Sequence, residues 1–192
     1  MSDISKLINK GMIKDGSVFF DLGANMGQEI QGILDSGIDV EIHSFEPHPI
    51  FTRMLIDKFG NHPRITINSS AAWIVDEDRD FYFKKSKENL NGGATLISTK
   101  GNISRNITER VRCIDIAKYI ENLGKDIDIF KIDVEGAEYH ILDHIEKTGA
   151  LSKIDKIFVE DHSRKISDNN WEKLRSDVIE RYKEIGKDIY SW

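Results

Sequence analysis

The 192-residue chain has one cysteine, Cys113, so it can form no disulfide within itself and no cysteine-built metal site. No histidine lies near it in sequence, so the thiol lacks a base and Cys113 is assigned to packing. Nowhere do about eighteen apolar residues run together, and Met1 to Gly16 carries scattered charges instead of an apolar leader. With one thiol and no such segment, the expectation is a cytoplasmic protein with no membrane partner. Excess positive charge is missing too. Against 33 acidic residues stand 27 basic ones, a net charge of −6, and that field disfavours nucleic acid as a partner. His140 and His144 stand four apart, but Ile141 occupies the place where the zincin pattern H-E-x-x-H needs Glu, so a solvated pair on an outer helix face is expected. Repeats and linker-like segments are absent, and 39% hydrophobic content over this length suits a single domain, 1–192.

What is present centres on Val18 to Gly27, Val-Phe-Phe-Asp-Leu-Gly-Ala-Asn-Met-Gly. An apolar run reads as a strand buried on both faces, Asp21 stands near its carboxyl end, and a small-residue turn leads into a helix. Glycines at 23 and 27 let backbone approach a ligand, and the helix start offers free N–H groups. The dinucleotide fingerprint G-x-G-x-x-G does not fit, since from Gly23 its third and sixth positions are Asn25 and Gln28. Glu46, nineteen residues past Gly27, ends a second short strand before Pro47. A strand-end carboxylate at this spacing is where doubly wound folds accept hydrogen bonds from ribose hydroxyls.

Along the chain, Ser2 to Met12 reads as a short amphipathic helix within an N-terminal segment 1–16. Helices follow at Gln28–Ser36 and from Pro49 to Phe59, with strands at Val40–Phe45 and Arg64–Ser70. From Ala71 to Arg112 no helical period appears. Trp73-Ile74-Val75 and Phe81-Tyr82-Phe83 read instead as a hairpin around the acidic turn Asp76-Glu77-Asp78, and Lys84, Lys85 and Lys87 as either a solvated edge or a rim that steers an anionic substrate. This insertion, 71–112, is expected to line the acceptor site. Asp115 caps a helix running to Leu123. Asp126–Val134 and Lys156–Glu160 are further strands, Gly136–Glu146 and Asn169–Ile185 helices, and Asp188–Trp192 a candidate last strand. Alternating strands and helices argue an α/β fold with a mostly parallel sheet.

These residues resemble the FkbM family of methyltransferases that use S-adenosylmethionine (SAM). The resemblance rests on Asp21-Leu-Gly-Ala-Asn-Met-Gly27, Phe45-Glu46-Pro47, Ser70-Ala71-Ala72, Gly92-Gly93-Ala94-Thr95-Leu96, Lys131-Ile-Asp133-Val-Glu135-Gly136-Ala137-Glu138 and Glu160-Asp161-His162, in order over about residues 17 to 162. It implies a class I, Rossmann-like fold of about 6–7 strands in 3-2-1-4-5 order, with helices on both faces and the hairpin insertion between strands three and four. It also implies O-methyl transfer to a hydroxyl of a sugar or natural-product scaffold. Carried over, Gly23, Asn25 and Gly27 hold the methionine part of SAM, Asp21 orders that turn and Glu46 takes the ribose hydroxyls. Ser70 and Ala71 lie by the adenine, and Asp133 faces the methyl group. One departure is that the chain stops at Trp192, so the family's final antiparallel strand is expected to be missing.

Adjacent strands lie about 4.8 Å apart, so Asp133 is expected near Glu160, Asp161 and His162. Either one of Asp133, Glu160 and His162 is a catalytic base, or Asp133, Glu160 and Asp161 bind magnesium or manganese, which polarises the hydroxyl. Glu135 and Gly93 are candidate substrate contacts, with a helix-dipole role equally open for Glu135 and preferred for Glu138. Three other readings remain: an RNA or protein methyltransferase, a SAM-binding module without catalysis, and an NAD-type oxidoreductase. The last lacks the Tyr-x-x-x-Lys pair of its common short-chain form.

Overall fold

The computed structural model describes every residue except 1, 2, 85 and 87–91. In chain order it contains α1 (Asp3–Asn9), β1 (Val18–Leu22), α2 (Gln28–Ser36), β2 (Glu41–Phe45), α3 (Pro49–Phe59), β3 (Ile65–Asn68), β4 (Ala71–Trp73) and β5 (Glu77–Tyr82). There follow β6 (Thr108–Asp115), α4 (Ile116–Leu123), β7 (Ile127–Ile132), α5 (Glu138–Lys147), β8 (Ile154–Val159), α6 (Asn169–Glu184) and β9 (Ile189–Ser191).

All five side chains of β1 are buried, as the apolar run requires of a strand covered on both faces. Because successive side chains point to opposite faces, the register sorts them into two cores. Phe19 aligns with Ile42 and Ile129 on one face, where α1, α2 and α3 bring Leu7, Ile30 and Leu55. Phe20 aligns with Phe130 on the other, where α4, α5 and α6 bring Ile120, Ile141 and Val178. Truncating a ring such as Phe20 to Ala would cost about 3–5 kcal/mol. The helices start where the sequence supplies caps: Asp115 accepts from Ala117 N and Lys118 N, and Asp168 from Asn170 N and Trp171 N.

The central sheet has the order β3-β2-β1-β7-β8-β9 with every pairing parallel, a Rossmann-like α/β architecture. Its carboxyl edge changes direction of build between β1 and β7, which opens a crevice there. The segment expected as a last strand does pair, Ile189 opposite Ile157 of β8, and it pairs parallel. Among the described residues this sheet has no antiparallel member.

The expected hairpin is corrected. β4 and β5 do not pair with each other; both flank β6 in a second sheet of order β4-β6-β5, β4 parallel to it and β5 antiparallel. Residues 74–76 therefore cross the end of β6, and Asp76 accepts from the Asp115 N–H at 3.1 Å. Glu77 and Asp78, read as turn residues, belong to β5. Asp78 and Asp80 lie opposite Arg112 and Arg110, so the charges of an exposed strand face are matched across the ladder. A hairpin is the default for two nearby strand-like runs, and only the partner at 108–115, distant in sequence, displaces it.

The histidine pair is corrected too. His140 stacks on Trp73 with ring centroids 5.4 Å apart, and His144 Nε2 lies 2.8 Å from Asp115 at the cap of α4. Neither sits on a solvated face. Cys113 is fully buried and its thiol is pushed up to about 11 by that burial, as a packing residue should be. Among the described residues no helix is long and apolar enough to cross a membrane.

Candidate functional site

Seven of the residues singled out from the sequence line one cleft at the carboxyl ends of β1, β2 and β7: Gly23, Asn25, Glu46, Ala71, Gly93, Asp133 and Glu135. Phe45, Phe51, Phe81, Ala72 and Leu96 supply its apolar wall, and it encloses about 650 Å³ of empty space, part of it open to solvent. Ligand pockets fall in this size range and combine such walls with a few fixed polar groups.

The first half of the cleft is held by backbone. Gly23 has φ +88, and a Cβ there would meet the Asp133 carbonyl oxygen at 1.8 Å, so the turn after β1 and the end of β7 touch where only glycine fits. Asn25 sits at φ 52, and its N–H donates to Glu46 Oε2 at 2.7 Å. The other oxygen, Oε1, accepts from His48 N at 2.8 Å. The Glu46 carboxyl is thus clamped by main chain, while burial pushes its pKa up to about 7. Asn25 Oδ1 is buried without a hydrogen bond, an acceptor left over beside the turn.

Behind that turn Asp21 does not reach the cleft. It is fully buried and paired with Lys131 Nζ at 2.8 Å. The same ammonium lies 3.4 Å from the Gly23 carbonyl and 3.6 Å from Asp133 Oδ2, so one lysine ties the glycine turn to the end of β7. Burial pulls the Lys131 pKa down, but the Asp21 and Asp133 charges outweigh it and hold the group cationic. Gly27 is also outside the cleft: a Cβ there would press on Phe59 at 2.6 Å and Leu55 at 2.8 Å, so it serves the packing of α2 on α3. Ser70, the residue before β4, is half-buried and is not among the lining groups, whereas its neighbours Ala71 and Ala72 are.

The second half is held by side chains. Burial pushes Asp133 up to about 7 against the pull of Lys131, with the Glu160 charge adding to the rise. His162 is buried, and its Nε2 lies 3.2 Å from Glu135, 3.5 Å from Glu160 and 3.9 Å from Asp133. Its Nδ1 stands 2.8 Å from Glu138 Oε1. Burial would lower the His162 pKa, but the hydrogen bond and charge of Glu138, with the Glu135 charge, raise it above the usual value. Glu135 adopts φ 58, and its side chain accepts from the buried Lys100, which also donates to the Gly93 carbonyl at 2.8 Å. Burial would raise the Glu135 pKa, but the Lys100 charge and hydrogen bond bring it below the usual range. Thr95 Oγ1 donates to the Glu135 carbonyl at 2.7 Å, so the glycine pair at 92–93 is strapped to the end of β7.

Asp133, Glu160 and His162 each offer a ligand atom within 4.8 Å of the others. Asp161, expected to share a metal with Asp133 and Glu160, is corrected. Its carboxylate accepts from Arg175 at 2.7 and 3.1 Å and faces the Tyr139 hydroxyl at 3.2 Å, on the far side of the strand end. Consecutive residues leaving a strand point to opposite sides, which is why 160 and 162 converge and 161 does not.

Comparison with known proteins decides the family. Residues 21–187 match the family model described as the methyltransferase FkbM domain. The chain belongs to that family. Among solved structures, the methyltransferase FkbM of Methylobacillus flagellatus KT is 17% identical, with a TM-score of 0.47; the match covers 71% of this chain and 30% of that one. No curated protein matches.

Within this FkbM domain three buried side chains that hold the candidate site were not given that place by the sequence: Lys131, Lys100 and Glu138. Lys131 carried a signal, since a lysine between Phe130 and Ile132 in a strand buried on both faces must find a partner. Glu138 was read as serving the helix dipole, yet it is fully buried against His162. Lys100 gave no signal, because its partner Glu135 is distant in sequence and meets it only through the fold. Of the suggested lysine rim, Lys84 packs at Gly93, where a Cβ would meet its Nζ at 2.4 Å, and Lys85 and Lys87 lie outside the described residues.

Proposed function

We propose that this FkbM domain is a SAM-dependent O-methyltransferase acting on a hydroxyl of a small molecule, a saccharide or a natural-product scaffold. The observation that carries the reading is a single cleft that joins the clamped Glu46 carboxylate to Asp133 across the Gly23 turn. The residues present fit the cofactor. Glu46 has lone pairs left for ribose hydroxyls, the orphaned Asn25 Oδ1 suits the ammonium of the methionyl end, and Ala71, Ala72 and the aromatic wall suit the adenine. When bound, the sulfonium supplies an electrophilic methyl group.

For the acceptor, the chain provides carboxylates at the ends of β7 and β8. Asp133 lines the cleft, and its pKa of about 7 is that of a base poised near neutrality, half ready to take a hydroxyl proton. Glu135 and Gly93 border the same space and would orient the acceptor. A divalent cation at Asp133, Glu160 and His162 is the competing way to lower the barrier to proton loss. The base is preferred here, because Lys131 at 3.6 Å from Asp133 already supplies a fixed positive charge.

Thermal melting with SAM, S-adenosylhomocysteine and NAD in parallel tests the reading. The first two should raise the midpoint, with about 2.7 kcal/mol of stabilisation at one hundred times Kd. A shift with NAD alone would overturn it.

A further inference from the structure

The wall of the cleft beside Glu46 contains a buried donor with nothing to donate to. Just after Glu46 the backbone has no N–H to spare: Pro47 carries none, and the His48 N–H is taken by Glu46 Oε1 at 2.8 Å. The His48 side chain is left. Its ring is buried, lines the cleft and caps α3, with Nδ1 accepting from the Ile50 N–H at 3.3 Å. Burial pulls the His48 pKa below its usual value against the opposing Glu109 charge, so the ring is neutral. A neutral imidazole that accepts at Nδ1 carries its proton on Nε2. That Nε2 is buried and makes no hydrogen bond. Around it the packing is aromatic, with the Phe51 ring centroid at 4.3 Å and the Phe83 centroid at 5.2 Å, edge-on. A buried donor without an acceptor retains its desolvation cost, and a ligand filling the cleft is what can remove it.

We propose that His48 is a specificity-determining residue of the cofactor half: its Nε2–H donates to N3 of the adenine. The inference rests on the SAM reading, with Glu46 on the ribose. Glu46 and the His48 backbone are hydrogen-bonded to each other, so the imidazole stands beside the ribose-binding carboxylate. N3 is the adenine's acceptor on the sugar edge, whereas N7 and the N6 amino group lie on the opposite edge. The aromatic wall grips a base by its faces and leaves its rotation in the plane open. One fixed donor at the sugar edge sets that rotation, and it rejects a base with no acceptor there because the buried N–H is then left unpaired.

Calorimetry on the full chain with S-adenosylhomocysteine and its 3-deaza analogue, in which C–H replaces N3, tests this. The wild type should bind the analogue about tenfold more weakly, the loss expected when a buried donor meets C–H. His48→Phe, which keeps an aromatic ring against Phe51, should bind S-adenosylhomocysteine about tenfold more weakly and bring the two ligands within about twofold of each other. Equal binding of both ligands by the wild type, or a gap that survives in His48→Phe, would overturn the proposal and leave the cofactor reading standing. A wild type that binds neither ligand fails the cofactor reading, and the proposal falls with it. Should His48→Phe not fold, long-range proton–nitrogen NMR on the wild type with labelled histidine decides. The His48 signals are assigned from His48→Asn, which retains an acceptor for the Ile50 N–H. The free chain should show the Nε2–H tautomer, and the Nε2 signals should shift with S-adenosylhomocysteine and stay in place with the 3-deaza analogue. An Nδ1–H ring would overturn the proposal. So would Nε2 signals that respond alike to both ligands, as they would if the proton rested on the face of Phe83.

Discussion

The two acids at the heart of the cleft, Glu46 and Asp133, are held in different ways. Both are strand-end carboxyls, Glu46 buried and Asp133 half-buried, with pKa values pushed up to about 7 by removal from water. Glu46 is clamped by the N–H groups of Asn25 and His48, both close to it in the chain or in the adjacent turn. Asp133 is surrounded by charged side chains, Lys131 from β7 and Glu160 and His162 from the loop that follows β8. Backbone clamping suits a group that only has to bind, because main-chain donors cannot titrate or swing away. A side-chain cage suits a group that must exchange a proton, since its partners can change charge with it.

The sharpest way to break the caged half is to remove its buried cation. Lys131→Met should destabilise the domain by about 3–5 kcal/mol, because Asp21 is left buried and unpaired. Urea denaturation measures this, and a loss under 1 kcal/mol would mean that the cage is not held by that pair. Breaking the clamped half should cost affinity instead. Glu46→Ala should weaken S-adenosylhomocysteine binding by about 1.5–3 kcal/mol in calorimetry, the range for hydrogen bonds to a charged group. Unchanged affinity would remove Glu46 from the cofactor site.

A pH series sharpens the comparison. A carboxyl whose folded pKa lies above its unfolded value stays protonated after the unfolded chain has ionised, so its contribution to stability is complete below about 4.5 and is lost as pH rises through about 7. Unfolding midpoints should therefore decline between those values. Glu46→Gln should flatten the decline, and a slope identical to wild type would show that Glu46 does not titrate in this window. The smallest effect belongs to the second sheet. Arg110→Ala, which removes an exposed partner of Asp80 at 3.5 Å, should change stability by less than about 1 kcal/mol and leave cofactor binding unaltered.

The same contrast explains what could be read in advance. The glycine turn, Glu46, the cap at Asp115 and the alternation of strands and helices are local patterns, set by spacing within a dozen or two residues, and the structure contains them. Gly27 shows the limit of such reading. It lies in the expected turn, but it faces Phe59 and Leu55, partners that a one-dimensional pattern cannot see. The hairpin at 73–83 failed for the same reason, since β6 lies some thirty residues downstream and takes both strands.

The sequence by itself determined the α/β order, the two-faced burial of β1 and the identity of the acids at three strand ends. It could do so because hydrophobic period, turn chemistry and strand polarity act over short distances. The tertiary structure alone decided which way each acid is satisfied. That Asp161 turns to Arg175 while Glu160 and His162 turn to Asp133, and that Lys100 and Lys131 fasten the cleft's floor from inside, follows from strand register and from charges that must be paired once they are buried. A buried charge takes its partner from whatever the fold puts beside it, and that neighbour is not written next to it in the chain.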